Sequence, residues 1–208
     1  MQVIIFGATG SLGTYVVKEA LANGHSVRAF TRSGDKIKDI ESSQLSIVKG
    51  DVYRLADVQT AIEGTDAVLC CLGDGAAGNV RATGTLHIVK AMEHVGVTRL
   101  ICQTTLGLGD SWNNLNFFWK HIMFGFFLKK AFTDHQLQEQ HINASKLDFT
   151  IVRPSAFTNE PAAKTFKVGF NAQARNLRLS IPRADVAYFM VDQLNSRKHI
   201  RDTVGISN

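Results

Sequence analysis

Residues 3–13 read Val-Ile-Ile-Phe-Gly-Ala-Thr-Gly-Ser-Leu-Gly, an apolar run that breaks into three evenly spaced glycines before a segment of helical period. Few local folds accept that order. A buried strand has to stop, turn through backbone conformations closed to most residues, and enter a helix that packs back on the strand. Gly7, Gly10 and Gly13, with Thr9, Ser11 and Leu12 between them, make a G-x-x-G-x-x-G loop instead of the commoner G-x-G-x-x-G. The physics is shared between the two spacings. Glycines let backbone N–H groups approach a pyrophosphate, and the amino end of the helix adds partial positive charge there. A purely structural tight turn is the competing reading, and the strand before and helix after the loop favour a dinucleotide.

Beyond the loop, strand-like runs at residues 26–30, 45–48, 67–71 and 100–102 alternate with helix-period segments at 12–22, 36–40, 55–62 and 85–95. Continuous apolar strands separated by helices predict a parallel sheet buried on both faces. The expected class is therefore a doubly wound α/β fold, with a ligand crevice at the carboxyl ends of its strands. A helix at 133–145 and a strand at 149–152 continue the pattern, followed by weak strand signals at 166–170 and 177–181 and a helix at 184–194. On this reading residues 1–208 are one domain, with an aromatic insertion at 106–132 and a small C-terminal cap at 161–208 over the crevice.

A chain of 208 residues buries roughly 70% of its unfolded surface and needs no covalent staple. Cys70, Cys71 and Cys102 lie in apolar runs and are odd in number, which predicts reduced thiols and a cytoplasmic setting. Met1 leads into Gln-Val-Ile-Ile-Phe with no charged segment, so no export signal is expected. The most apolar window, 117–128, holds Lys120 and His121 and falls short of the ~20 residues of a spanning helix.

The second strand runs out at Thr31-Arg32-Ser33. A site for NAD places a carboxylate near this point to hold the ribose 2′-hydroxyl. Arg32 instead offers a fork of donors suited to a 2′-phosphate, with Ser33 as a second donor, so NADP(H) is the expected cofactor. Asp35 is the nearest carboxylate. Asp51 and Val52 end the third strand, and Leu72 and Gly73 the fourth, where an adenine and its ribose would lie. Asp51 either accepts from the adenine amino group or caps the helix that follows.

With these motifs in place the chain resembles the atypical short-chain dehydrogenase/reductases, a Rossmann-fold family. The likeness rests on Phe6-Gly7-Ala8-Thr9-Gly10, Gly50-Asp51-Val52, Ala56-Asp57-Val58, Asp66-Ala67-Val68, Leu72-Gly73, Asp134-His135, Val152-Arg153-Pro154 and Ala184-Asp185-Val186. Within the family it is most similar to the flavin and biliverdin reductases, with NmrA-type NADP sensors and sugar epimerases as neighbouring branches. The resemblance implies an NADPH-dependent reductase of flavins, bilins or quinone-like aromatics. It departs from the family where a Tyr-x-x-x-Lys pair is expected, since the matching positions are Ala131 and His135. His135 would then hydrogen-bond the nicotinamide ribose, or be a half-buried histidine near a helix start. Thr105 takes the place of the family's serine beside Gln103, and Ser155 follows Pro154 where the biliverdin reductases carry histidine. Thr105 would orient the carboxamide or the acceptor, and Ser155 would line the nicotinamide side.

Residues 112–132 concentrate both tryptophans and six of the thirteen phenylalanines. An apolar lid over a flat conjugated substrate, a homodimer interface, and a helix lying on a membrane all fit that density. Lys164, Lys167, Arg175, Arg178 and Arg183 follow with no carboxylate between residues 161 and 184, either as a solvated face or as an attraction for an anionic substrate. The net charge of +5 is too small to imply nucleic acid, and no metal-ligand spacing is present. The expected activity is hydride transfer from NADPH to a flavin, quinone or bilin-like acceptor. The competing class is a non-catalytic NADP(H) sensor.

Overall fold

The computed structural model describes residues 1–33 and 35–208, together with no side chain for Asp35. Its first half is built from β1 (Gln2–Phe6), α1 (Gly13–Ala22), β2 (Ser26–Thr31), β3 (Leu45–Lys49), α2 (Leu55–Ile62), β4 (Ala67–Cys70), α3 (Val80–Val95) and β5 (Arg99–Gln103). Then come α4 (Lys129–Asn143), β6 (Asp148–Pro154), β7 (Ala156–Thr158), β8 (Lys167–Val168), β9 (Ser180–Pro182), α5 (Arg183–Asp192) and β10 (Asp202–Ser207). The main sheet has the order β3-β2-β1-β4-β5-β6-β10-β8, and β7 pairs with β9 in a separate ribbon. Each pair in the main sheet is parallel except β10 with β8. The chain reverses direction across the sheet between β1 and β4, and this switch opens a crevice at the strands' carboxyl ends.

Helices cover both faces, which is why β4 and β5 are buried at every residue. On one face Val16, Val17 and Ala20 of α1 share a core with Val186, Ala187 and Met190 of α5. On the other, Val58 and Ile62 of α2, Ile88 and Met92 of α3, and Ile142 of α4 pack against β1, β4 and β5. No helix among the described residues is long and apolar enough to cross a membrane. The three cysteines are free and buried.

The C-terminal third departs from expectation. α5 does not overhang the crevice, because its buried stripe of Val186, Ala187, Met190 and Val191 is spent against α1 and the sheet. β10 carries no alternating apolar run long enough to announce itself, yet it pairs with β6 over five residues and buries Val204 and Ile206. Gly205 in its centre leaves room for the ring of Phe170, whose atoms a Cβ would meet at 2.9 Å. From residue 156 onward, Ala156, Phe157, Leu179 and Arg183 are the described residues that line the crevice cavities. The expected helix at 36–40 is a single 3-10 turn, Asp35–Ile37, which suffices to bury Ile37. The aromatic insertion is a π-helix, Phe118–Phe127, running into α4.

Candidate functional site

The glycine loop is cut to fit. Gly7 sits at φ +78°, and a Cβ there would lie 2.4 Å from the carbonyl oxygen of Cys71. A Cβ on Gly13 would come within 2.0 Å of the Gly7 carbonyl, so this glycine seats α1 against the loop. The Gly10 N–H donates to the Gly7 oxygen at 2.9 Å and closes the turn. Leu12 stands at the N-cap with no side-chain acceptor, while the N–H groups of Thr14 and Tyr15 donate to the Gly10 and Leu12 carbonyls at 3.2 and 2.9 Å, so the pull on an anion comes from the positive end of the α1 dipole. The hydroxyls of Thr9 and Thr31 meet at 3.4 Å and tie the loop to the end of β2.

Two cavities lie in series along the crevice and share Gly10, Cys71, Leu72 and Gly73. The first, about 350 Å³, sits at the ends of β2 and β3 and is lined by Gly7, Thr9, Arg32, Asp51 and Val52, with Lys36 and Tyr53. The second, about 400 Å³, sits at the ends of β5 and β6 and is lined by Ser11, Leu12, Gln103, Thr105, His135, Pro154 and Ser155. A paired cavity bridged by a glycine cradle and a helix amino end fits a dinucleotide, with one nucleoside on each side of the bridge.

The second cavity has a distinct chemistry. The Ser155 hydroxyl is buried with no partner among the described residues, so a ligand group is what would satisfy it. The Thr105 hydroxyl makes a long 3.3 Å bond to the Leu106 carbonyl, and the Gln103 amide donates to the Thr104 carbonyl. His135 is buried, and burial followed by the charge of Arg81 depresses its pKa to about 3, so the ring is neutral. Its tautomer follows from its neighbour. The Gln138 amide nitrogen donates to the Thr85 hydroxyl at 3.1 Å and to Cys102 Sγ at 3.2 Å, so its oxygen accepts from His135 Nδ1–H at 2.9 Å. Nε2 is then the unprotonated nitrogen. Leu115, Trp119, Phe124 and Leu128 close the roof.

A buried brace holds this end of the crevice. Arg153 of β6 makes a two-pronged pair with Glu139 of α4 at 2.9 and 2.7 Å, and reaches Asp110 at 2.8 Å. The Thr104 hydroxyl donates to the same Glu139 at 2.7 Å. The loop after β5 is thereby fixed to both neighbouring elements.

Some expected residues stand elsewhere. Ser33 is exposed and lines neither cavity, because the chain has already turned away from the strand end. Gly13 contacts the loop from behind and does not face the cavities. The Asp35 side chain lies outside the described residues. Asp51 is not the N-cap of α2, a position held by Arg54; its carboxylate accepts from the Tyr53 N–H at 3.0 Å while lining the first cavity. Of the five basic residues after 161, Arg183 alone lines either of the two crevice cavities, where it lies over the Phe157 ring. Arg178 pairs with Glu160, and Arg175 binds the Asn113 carbonyl. Arg81 was not anticipated: it lines the second cavity, buried, with Asp74 at 2.8 Å and Asp134 at 3.5 Å. The nearest sequence signal is the Leu72-Gly73 pair that ends the fourth strand, directly before the Asp74 that Arg81 binds.

A family profile described as NAD(P)H-binding matches residues 7–197. The chain is 25% identical over 205 residues to the uncharacterized sugar epimerase YhfK of Bacillus subtilis, covering 95% of this chain and 89% of that protein. A short-chain dehydrogenase/reductase of Veillonella parvula solved in complex with NADP superposes over the whole chain and 94% of its own, with TM-score 0.85 and 16% identity. ChuY, an anaerobillin reductase from Escherichia coli O157:H7, does so over 97% of its own length, with TM-score 0.82 and 23% identity. These two share the fold with this chain. Several other curated relatives are longer, and the chain spans 60% or less of their length.

Proposed function

The chain belongs to the NAD(P)H-binding family, and on that footing we propose that it is an NADPH-dependent reductase of a flat, conjugated acceptor such as a flavin, quinone or bilin. The observation that carries this reading is the makeup of the second cavity. Its roof is aromatic and aliphatic, and no tyrosine lines it among the described residues. NADPH, when bound, supplies a hydride there. The residues of the chain contribute orientation and a dry compartment. Trp119 and Phe124 offer faces for a planar ring, while Thr105 and Ser155 offer hydroxyls at its edge. A conjugated acceptor takes its proton from solvent, so a neutral His135 with a pKa of about 3 is no obstacle. A sugar would need several polar partners where this roof has Leu115, Phe124 and Leu128, which weighs against epimerase chemistry despite the name of the Bacillus relative. That ChuY is named an anaerobillin reductase is in keeping with a bilin-like acceptor.

For the cofactor, Arg32 and Lys36 stand together at the first cavity and favour a 2′-phosphate over a bare ribose. Ser33 is left out of that contact. Incubating the chain with NADPH and a panel of flavins, quinones, azo dyes and bilins, and following loss of NADPH absorbance, tests the reading. Steady oxidation with at least one planar acceptor is expected. Tight NADP(H) binding with no turnover across the panel would overturn it in favour of a sensor, whose exposed aromatic segment would serve a partner.

A further inference from the structure

The outer face of the aromatic π-helix is the largest feature the reductase reading leaves unused. We propose that it is a docking surface for an anionic lipid bilayer. Phe117, Phe118, Ile122, Phe126 and Phe127 are 72, 52, 39, 77 and 61% exposed. Helical pitch gathers them. At about 4.4 residues per turn of a π-helix, positions 117, 118, 122, 126 and 127 fall on one side, whereas the α-helical pitch would send 127 to the far side. Trp119, Phe124 and Leu128 point the other way and roof the cavity. One ten-residue helix thus has an apolar inner face with a job and an apolar outer face without one.

Charge selects the occupant. Lys129 and Lys130, both exposed, follow Phe126 and Phe127 within four residues at the carboxyl end of the helix, and no carboxylate occurs in the sequence between Asp110 and Asp134. A second copy of this chain on a twofold axis would bring the same lysines to face one another, with nothing in the segment to neutralise them. A bilayer rich in anionic headgroups meets both demands, taking the rings into the headgroup boundary and the ammonium groups at the phosphates. The proposal stands apart from the reductase reading, since docking is read without turnover.

Flotation of the full chain with vesicles tests it, using phosphatidylcholine alone or with roughly a third phosphatidylglycerol. The chain should float with the anionic vesicles, far less with the neutral ones, and be released by about 0.5 M salt. The paired change Phe126→Ser, Phe127→Ser should lower the bound ratio at least about tenfold, with circular dichroism and NADPH binding unchanged. Lys129→Gln with Lys130→Gln should lower it severalfold for anionic vesicles only. The proposal fails if the native chain stays unbound with both vesicle types, or if the phenylalanine pair floats like the native chain. It also fails if the chain sediments as a dimer that the phenylalanine change dissociates, because a second copy then owns the face.

Discussion

At the scale of single residues, a charge's worth depends on where the chain leaves it. Arg32 is exposed at the rim of the first cavity, so the hold on a 2′-phosphate that the proposed NADPH specificity assigns to it would act through solvent screening. Arg32→Ala is expected to weaken NADPH binding about tenfold while leaving NADH within about twofold, read by calorimetric titration of each nucleotide. Equal losses for both would remove Arg32 from cofactor choice. His135 is the opposite case, a group whose folded pKa of about 3 lies below its ordinary 6.5. Between those values the unfolded chain binds the extra proton, so the histidine's contribution is present above pH ~6.5 and lost as pH falls toward ~3. His135→Asn keeps an N–H for Gln138 without the proton uptake. Its melting temperature should therefore fall less than that of the native chain between pH 7 and pH 4, and parallel decline would show another group in command. The glycines were legible at this scale because their constraint is local, one turn and one close approach. Arg81 was not, since what makes it part of the site is a carboxylate brought from distant sequence.

Between elements, the sequence spoke clearly where a segment's periodicity answers to its own neighbours. β1 through β5 and the helices α1 and α2 stand close to where the apolar runs put them. The start of α3 was misjudged because its cap is remote: the Asp134 carboxylate of α4 accepts from the N–H groups of Arg81 and Ala82 at 3.0 and 2.9 Å. Asn79 at the N-cap makes no side-chain cap bond, and the first turn after it, Val80-Arg81-Ala82-Thr83, has no apolar periodicity, so the helix reads as beginning later. The Glu139–Arg153–Thr104 brace is likewise invisible in sequence, joining α4, β6 and the end of β5. Breaking it should be expensive. Glu139→Gln leaves Arg153 with half its partners and is expected to cost about 3 kcal/mol in denaturant unfolding. Glu139→Leu combined with Arg153→Leu should cost less than the sum of the two single changes, because neither charge is stranded. A strictly additive result would mean that the pair is not coupled and that the loop after β5 is held by packing alone.

For the whole molecule, the decisive feature is how the tail closes on the body. A cap of residues 161–208 over the crevice was the natural expectation from weak strand signals and a basic run. Instead, β10 completes the sheet beside β6, Val204 and Ile206 enter the core, and the Ile206 carbonyl accepts the N–H of Ser155 at 3.0 Å. The backbone of Asn208 then holds Arg178 and Ser180, so β9 and the far wall of the second cavity hang on the last strand. This dependence is long-range pairing with little local signature, which is why sequence patterning underrates it. It also makes a sharp forecast. Ending the chain after Arg201 removes two fully buried aliphatic side chains worth roughly 1.5–3 kcal/mol each, plus a five-residue ladder, against a typical total stability of ~5–15 kcal/mol. The shortened chain should lose its cooperative thermal transition in circular dichroism and its NADPH binding together, since Ser155 loses its anchor with the strand. A shortened chain that melts cooperatively and binds NADPH at native strength would return the tail to the status of a detachable cover, and the second cavity would then owe its shape to β5, β6 and the aromatic roof alone.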